Sequence, residues 1–126
     1  RTSAFPENYS DEVMEIYSKN MTRPGGMKAM IDYYRDYFRG GLKRQRDIGF
    51  PIIEVPTLMC WGENDMFLTK KTTYGTDRWV RDLTIRYLPR ISHWVQQDAP
   101  TEVNSMISAF LRGEAVPEMI WESKLV

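Results

Sequence analysis

Val55-Pro56-Thr57-Leu58-Met59-Cys60-Trp61-Gly62-Glu63-Asn64-Asp65 is the stretch that decides the fold. Residues 57–61 form a short, mostly apolar run between two breakers. Proline lacks the N–H that a strand interior needs, so Pro56 belongs at a strand's start, and Gly62 closes the run. A short apolar run so bounded reads as a strand buried on both faces. Residues 83–88 form a second such run, stopped by Pro89. The residues between them, 70–81, read as a helix interrupted at Gly75. A final helix starts near Pro100, a residue favoured in a first helical turn. Its apolar face is Val103, Met106, Ile107, Phe110 and Leu111, and Gly113 ends it. Strand, crossover helix, strand, helix implies two parallel strands of an α/β sheet. Parallel strands need neighbours and helices on both faces. The sequence therefore predicts further strands upstream, and a chain that begins with Arg1 rather than methionine gives the same expectation.

The half before this stretch has another character. Ser10 is placed to cap a helix running from Asp11 towards Asn20, and Asp11 and Glu12 suit the positive end of its dipole. Pro24-Gly25-Gly26 breaks the chain. A second helix follows, with Met27, Met30, Ile31, Tyr34, Tyr37 and Phe38 on one face. Gly40-Gly41 ends or kinks it, and a polar stretch to Asp47 leads into Gly49 and Pro51.

Composition excludes several classes of function. The 17 basic and 17 acidic residues cancel to a net charge of zero. Nucleic acid is therefore not expected as a partner, because phosphate binding needs a clustered positive field. Lys43, Arg44 and Arg46 read as a solvated helix end. Cys60 is the single cysteine of the 126 residues, so no internal disulfide forms, and its apolar setting suits a buried, inert thiol. No apolar stretch approaches the roughly 18 residues of a membrane span, so a cytoplasmic location is expected, with an anchor upstream of Arg1 left open.

Chemistry in open α/β sheets gathers at the carboxyl ends of the strands. Glu63-Asn64-Asp65 follows the first strand, and Pro89-Arg90-Ile91-Ser92-His93-Trp94 follows the second. An acid on one loop can meet a histidine on the next, setting the imidazole's tautomer and stabilising its charged form. His93 is the one histidine, and an unperturbed pKa of roughly 6.5 suits general-base work. The residues alone leave alternatives open. His93 could simply bond a carbonyl, Asp65 could be a turn or cap residue, and Glu63 is a rival acid.

These segments resemble the epoxide hydrolases of the α/β-hydrolase superfamily. Val55-Pro56-Thr57-Leu58 with Trp61-Gly62-Glu63-Asn64-Asp65 is similar to their penultimate strand and acid loop. Ser92-His93-Trp94-Val95-Gln96-Gln97-Asp98-Ala99-Pro100, followed by Glu102-Val103-Asn104, is similar to their histidine loop and last helix. Thr22-Arg23-Pro24-Gly25-Gly26 and Asp32-Tyr33-Tyr34-Arg35 resemble their cap-domain helix, a feature shared with fluoroacetate-type dehalogenases. The resemblance implies the C-terminal part of an α/β-hydrolase. Residues 1–50 would belong to a helical cap and residues 51–126 to the last parallel strands and helices of the core.

It also implies epoxide opening through an aspartyl ester. His93 would be the base and Asp65 its supporting acid. Tyr34 would donate a hydrogen bond to the opening oxygen, with Tyr33 as the rival tyrosine, and Trp94 would line the substrate pocket. The nucleophile and oxyanion hole would lie in an upstream core segment of the same protein, and the chain by itself would be inactive. The reaction would need a small epoxide and water but no metal or organic cofactor, and the protein is compatible with a homodimer. A dehalogenase on the same scaffold and a non-catalytic, truncated chain are the competing readings.

Overall fold

The computed structural model describes residues 3–121, which divide into two compact units. Residues 9–51 form a helical unit, and residues 3–8 with 52–121 form a unit built on a sheet.

The helical unit begins at Ser10, whose Oγ accepts from the Val13 N–H at 3.3 Å and so satisfies one of the donors a helix start leaves open. Helix α1 spans Asp11–Thr22 and α2 spans Gly26–Asp36. At Tyr37–Gly41 the backbone widens into a single π-turn, and Gly40 takes a left-handed φ of 129° there. The chain kinks at this point and resumes as α3, Leu42–Ile48. The polar stretch is thus a helix, of which the sequence marked only the basic run Lys43, Arg44 and Arg46, as a solvated helix end. Between Leu42 and Ile48 its residues are all polar, so no apolar period announces it. Ion pairing of Arg44 with Asp36 spans the kink. None of the three helices contains a fully buried residue, and the apolar stripe of α2, from Met27 to Tyr34, is exposed.

In the sheet unit, β1 is Thr57–Gly62 and β2 is Leu83–Leu88. They pair in parallel, with Leu58 opposite Thr84, Cys60 opposite Arg86 and Gly62 opposite Leu88. An isolated bridge from Ile53 to Val80 extends the pairing. The expected crossover helix over 70–81 is not formed. Its place is taken by two short 3-10 turns, Lys70–Thr73 and Thr76–Arg78, split by Gly75 at φ 80°. The cause is local. The hydroxyls of Thr72, Thr73 and Thr76 each donate to the carbonyl three residues back, at 2.8, 2.8 and 2.7 Å. Such bonds compete with the helical ladder for its acceptors.

Two helices follow β2: α4, Val95–Asp98, and α5, Pro100–Leu111. The core lies between α5 and one face of the sheet. Leu88, Ile91, Ala99, Val103, Met106 and Val116 are its buried members, with Leu58, Cys60 and Phe5 packed against it. The Cys60 thiol lies 3.9 Å from the Met106 sulfur, and burial raises its pKa above the ordinary thiol value. Apart from Gly62 and Leu88, the residues of both strands are only half-buried, although the sequence predicts strands covered on both faces. Among the described residues no helix is long and apolar enough to cross a membrane.

Candidate active site

The two loops at the carboxyl ends of β1 and β2 are tied together through their backbones. The Glu63 N–H donates to the Leu88 carbonyl at 3.0 Å, and the Asn64 N–H to the Ile91 carbonyl at 2.9 Å. This closeness is why residue 62 is glycine: a β-carbon there would lie 2.1 Å from the Ser92 oxygen and 2.5 Å from that of Ile91. The second loop turns sharply at Arg90, a non-glycine residue with a φ of 62°. Loops joined in this way hold their side chains in fixed relation.

Asp65 and His93 meet across the junction. Asp65 Oδ2 lies 2.8 Å from His93 Nδ1. Asp65 Oδ1 accepts the N–H groups of Phe67 and Leu68, both at 2.9 Å. The carboxylate is therefore a turn cap and a histidine partner at once, through different oxygens. Burial by itself would raise its pKa, but the Leu68 N–H, the His93 ring and the Phe67 N–H outweigh this and hold it below the ordinary carboxylate value. An ionised carboxylate only accepts, so His93 Nδ1 carries the proton and Nε2 keeps its lone pair. Such a pair can take a proton at Nε2 and stabilise the resulting cation. Glu63, the rival acid, turns instead to Lys70 Nζ at 2.6 Å. Lys70 also lies over the ring of Tyr87, whose hydroxyl bonds Thr73 at 2.7 Å.

Aromatic rings flank the imidazole. Phe67 and Trp94 each meet His93 edge-on, with centroids 5.3 Å away in both cases. Phe67 and Trp94 are exposed, while the His93 side chain is 35% exposed. Nε2 thus belongs to a partly open, apolar-sided setting. Sequence reasoning missed Phe67, although its place two residues after Asp65 was a usable signal. It also gave no role to Ser92 and Asp98, which bracket the histidine. Of the four site residues expected from sequence, the structure brings Asp65, His93 and Trp94 together. Tyr34 belongs to the helical unit, where it is 65% exposed and stacks edge-on with Tyr33 at 5.4 Å. Among the described residues no group of three His, Cys, Asp or Glu side chains could hold a metal.

Epoxide hydrolase 2 of Caenorhabditis elegans is 32% identical over 109 residues, or 86% of this chain. Epoxide hydrolase 3 of Xenopus tropicalis is 34% identical over 104 residues, or 82% of the chain. The chain is related to the epoxide hydrolases. It spans 30% and 27% of the lengths of these two relatives. In three dimensions it matches the wild-type Cfl2 structure of Burkholderia cenocepacia with a TM-score of 0.71 and 19% identity, over 87% of this chain and 37% of that one. The sheet unit of this epoxide hydrolase relative is accordingly part of an α/β-hydrolase fold. No protein-family model matches the chain.

Proposed function

We propose that the protein hydrolyses epoxides to vicinal diols through an aspartyl-ester intermediate. The observation that carries this reading is the Asp65–His93 pair, 2.8 Å apart through Nδ1, which leaves Nε2 as a base. Similarity to proteins named epoxide hydrolases supplies the substrate class. In the first step an aspartate from outside residues 1–126 attacks an epoxide carbon, and the carbon–oxygen bond opens. Tyr34 donates a hydrogen bond to the oxygen that becomes negative; a phenol with a pKa of roughly 10 remains protonated to do so. In the second step His93 Nε2 takes a proton from water, and the hydroxide attacks the ester carbonyl. As the ester bond breaks, its leaving oxygen takes the proton back from the imidazolium, the second proton of the water passes to the oxygen opened in the first step, and the aspartate is released as a carboxylate with the diol. Asp65 holds the ring and balances its transient charge. Trp94 borders the substrate, and Phe67 packs against the same imidazole. A cytoplasmic location belongs to the same reading, supported by a lone thiol that needs no oxidising compartment.

The test separates the two steps. In the full-length protein, His93→Gln is expected to let the ester form and to block its hydrolysis. Mass spectrometry after incubation with an epoxide should then show a stable adduct of the substrate's mass. A His93→Gln protein that turns over like wild type, with no adduct, overturns the reading.

A further inference from the structure

The histidine loop contains a second acid, Asp98, that takes no part in the chemistry above. It is 5% exposed, at the end of α4. Its carboxylate receives four donors. Oδ1 accepts the Ser3 hydroxyl at 2.6 Å. Oδ2 accepts the Ser92 N–H at 3.1 Å, the Ala4 N–H at 3.2 Å and the Ser92 hydroxyl. The Ser92 oxygen in turn accepts the Trp94 N–H at 3.4 Å. The Asp98 N–H closes the circuit on the Trp94 carbonyl at 2.8 Å. The residues on both sides of His93 are therefore fixed to one buried carboxylate, directly or through Ser92. Only the His93 side chain between them points away, towards Asp65.

Asp98 is also more than a loop clasp. Ser3 and Ala4 come from the other end of the chain, and Asn8 adds bonds to the Gln97 and Asp98 carbonyls at 2.8 and 3.3 Å. Burial alone would raise the Asp98 pKa, but the Ser3 and Ser92 hydroxyls and the Ala4 and Ser92 amides lower it below the ordinary value. A neutral amide is a weaker replacement, because an Asn side chain keeps one acceptor oxygen, turns its NH2 towards the Ser3 hydroxyl, and lacks the charge that strengthens the bonds from the Ala4 and Ser92 donors. We propose that Asp98 is a positioning residue, which sets the backbone on either side of His93 so that the imidazole reaches Asp65 with Nε2 facing the substrate. This rests on the reading of His93 as the hydrolytic base.

Three variants of the full-length protein test it. Asp98→Asn removes the charge that the whole set shares, Ser92→Ala removes the hydroxyl bond next to His93, and Ser3→Ala removes only the hydroxyl bond to the distant segment. The readouts are the low-field proton resonance of His93 Nδ1–H, identified by its loss in His93→Gln, together with kcat and KM on an epoxide and the melting point. A misplaced catalytic group can cost up to about a hundredfold in rate. Asp98→Asn and Ser92→Ala are expected to weaken or shift the Nδ1–H signal and to lower kcat about tenfold or more with little change in KM. Ser3→Ala is expected to lower the melting point and leave the signal in place. If Ser92→Ala and a folded Asp98→Asn keep both the wild-type signal and kcat, Asp98 is only a stabilising contact and the proposal is overturned. If wild type opens no epoxide, the functional reading falls, and the Nδ1–H signal across the same variants decides the role of Asp98.

Discussion

Tyr34 presents its ring from an exposed position on α2, so its hydroxyl can be removed at little cost to folding. Surface substitutions of this kind stay within about 0.5 kcal/mol. If the hydroxyl stabilises the opening oxygen, the loss falls on the first chemical step. Tyr34→Phe in the full-length protein is expected to slow single-turnover adduct formation at least about tenfold, roughly 1.4 kcal/mol, at an unchanged melting point. An unchanged rate would reduce Tyr34 to a packing residue. The acids show how far single residues could be read from sequence. Glu63 and Asp65 both stand on the right loop, and the choice between them depends on two backbone amides and on Lys70. Asp65 is drawn in by the Phe67 and Leu68 N–H groups, and Glu63 is drawn away to Lys70. Those directions arise from turn geometry, which residue types alone do not specify. The partners of Asp98 were less legible still, because they come from Ser92 and from the far end of the chain.

Both strands and α5 were legible because proline, glycine and apolar periodicity mark them. The segment over 70–81 was not, because its threonine hydroxyls take the carbonyls that a helix would use. Of the polar helix α3 only the basic end was legible, because it has no buried face to leave a pattern. At this scale the critical join is the end of β1 against the histidine loop. Gly62→Ala would drive a β-carbon into the backbone of Ile91 and Ser92, which cannot move as a flexible side chain could. The expected cost is about 3 kcal/mol, at the high end for overpacking. Urea unfolding monitored by circular dichroism would measure it. A loss below about 1 kcal/mol would mean that the two loops separate easily, and that their backbone ties do not fix the site.

For the molecule as a whole, Asp65 and Asp98 make acid the sensitive direction. Both have pKa values lowered by the fold, so each contributes stability above its unfolded pKa of roughly 3.9 and loses it as pH falls through the folded value. The melting point is expected to be nearly flat from pH 7 to about 5 and to drop below about 4. Asp98→Asn should start lower and fall less steeply, since one of the linked protons is gone. Equal acid slopes in the two proteins would contradict the linkage. The clasp at Asp98 also has a consequence in time. Ser3 and Asp98 stand 95 residues apart in the chain. At about 5–20 residues per second, a ribosome needs roughly 5 to 19 seconds to make the stretch between them. Throughout that interval the segment at residues 3–8 is without its acceptor, and for most of it the loop that will carry His93 does not yet exist. The site is therefore finished only after Asp98 has been made, and a stall or premature stop before that residue yields a chain in which the clasp cannot close.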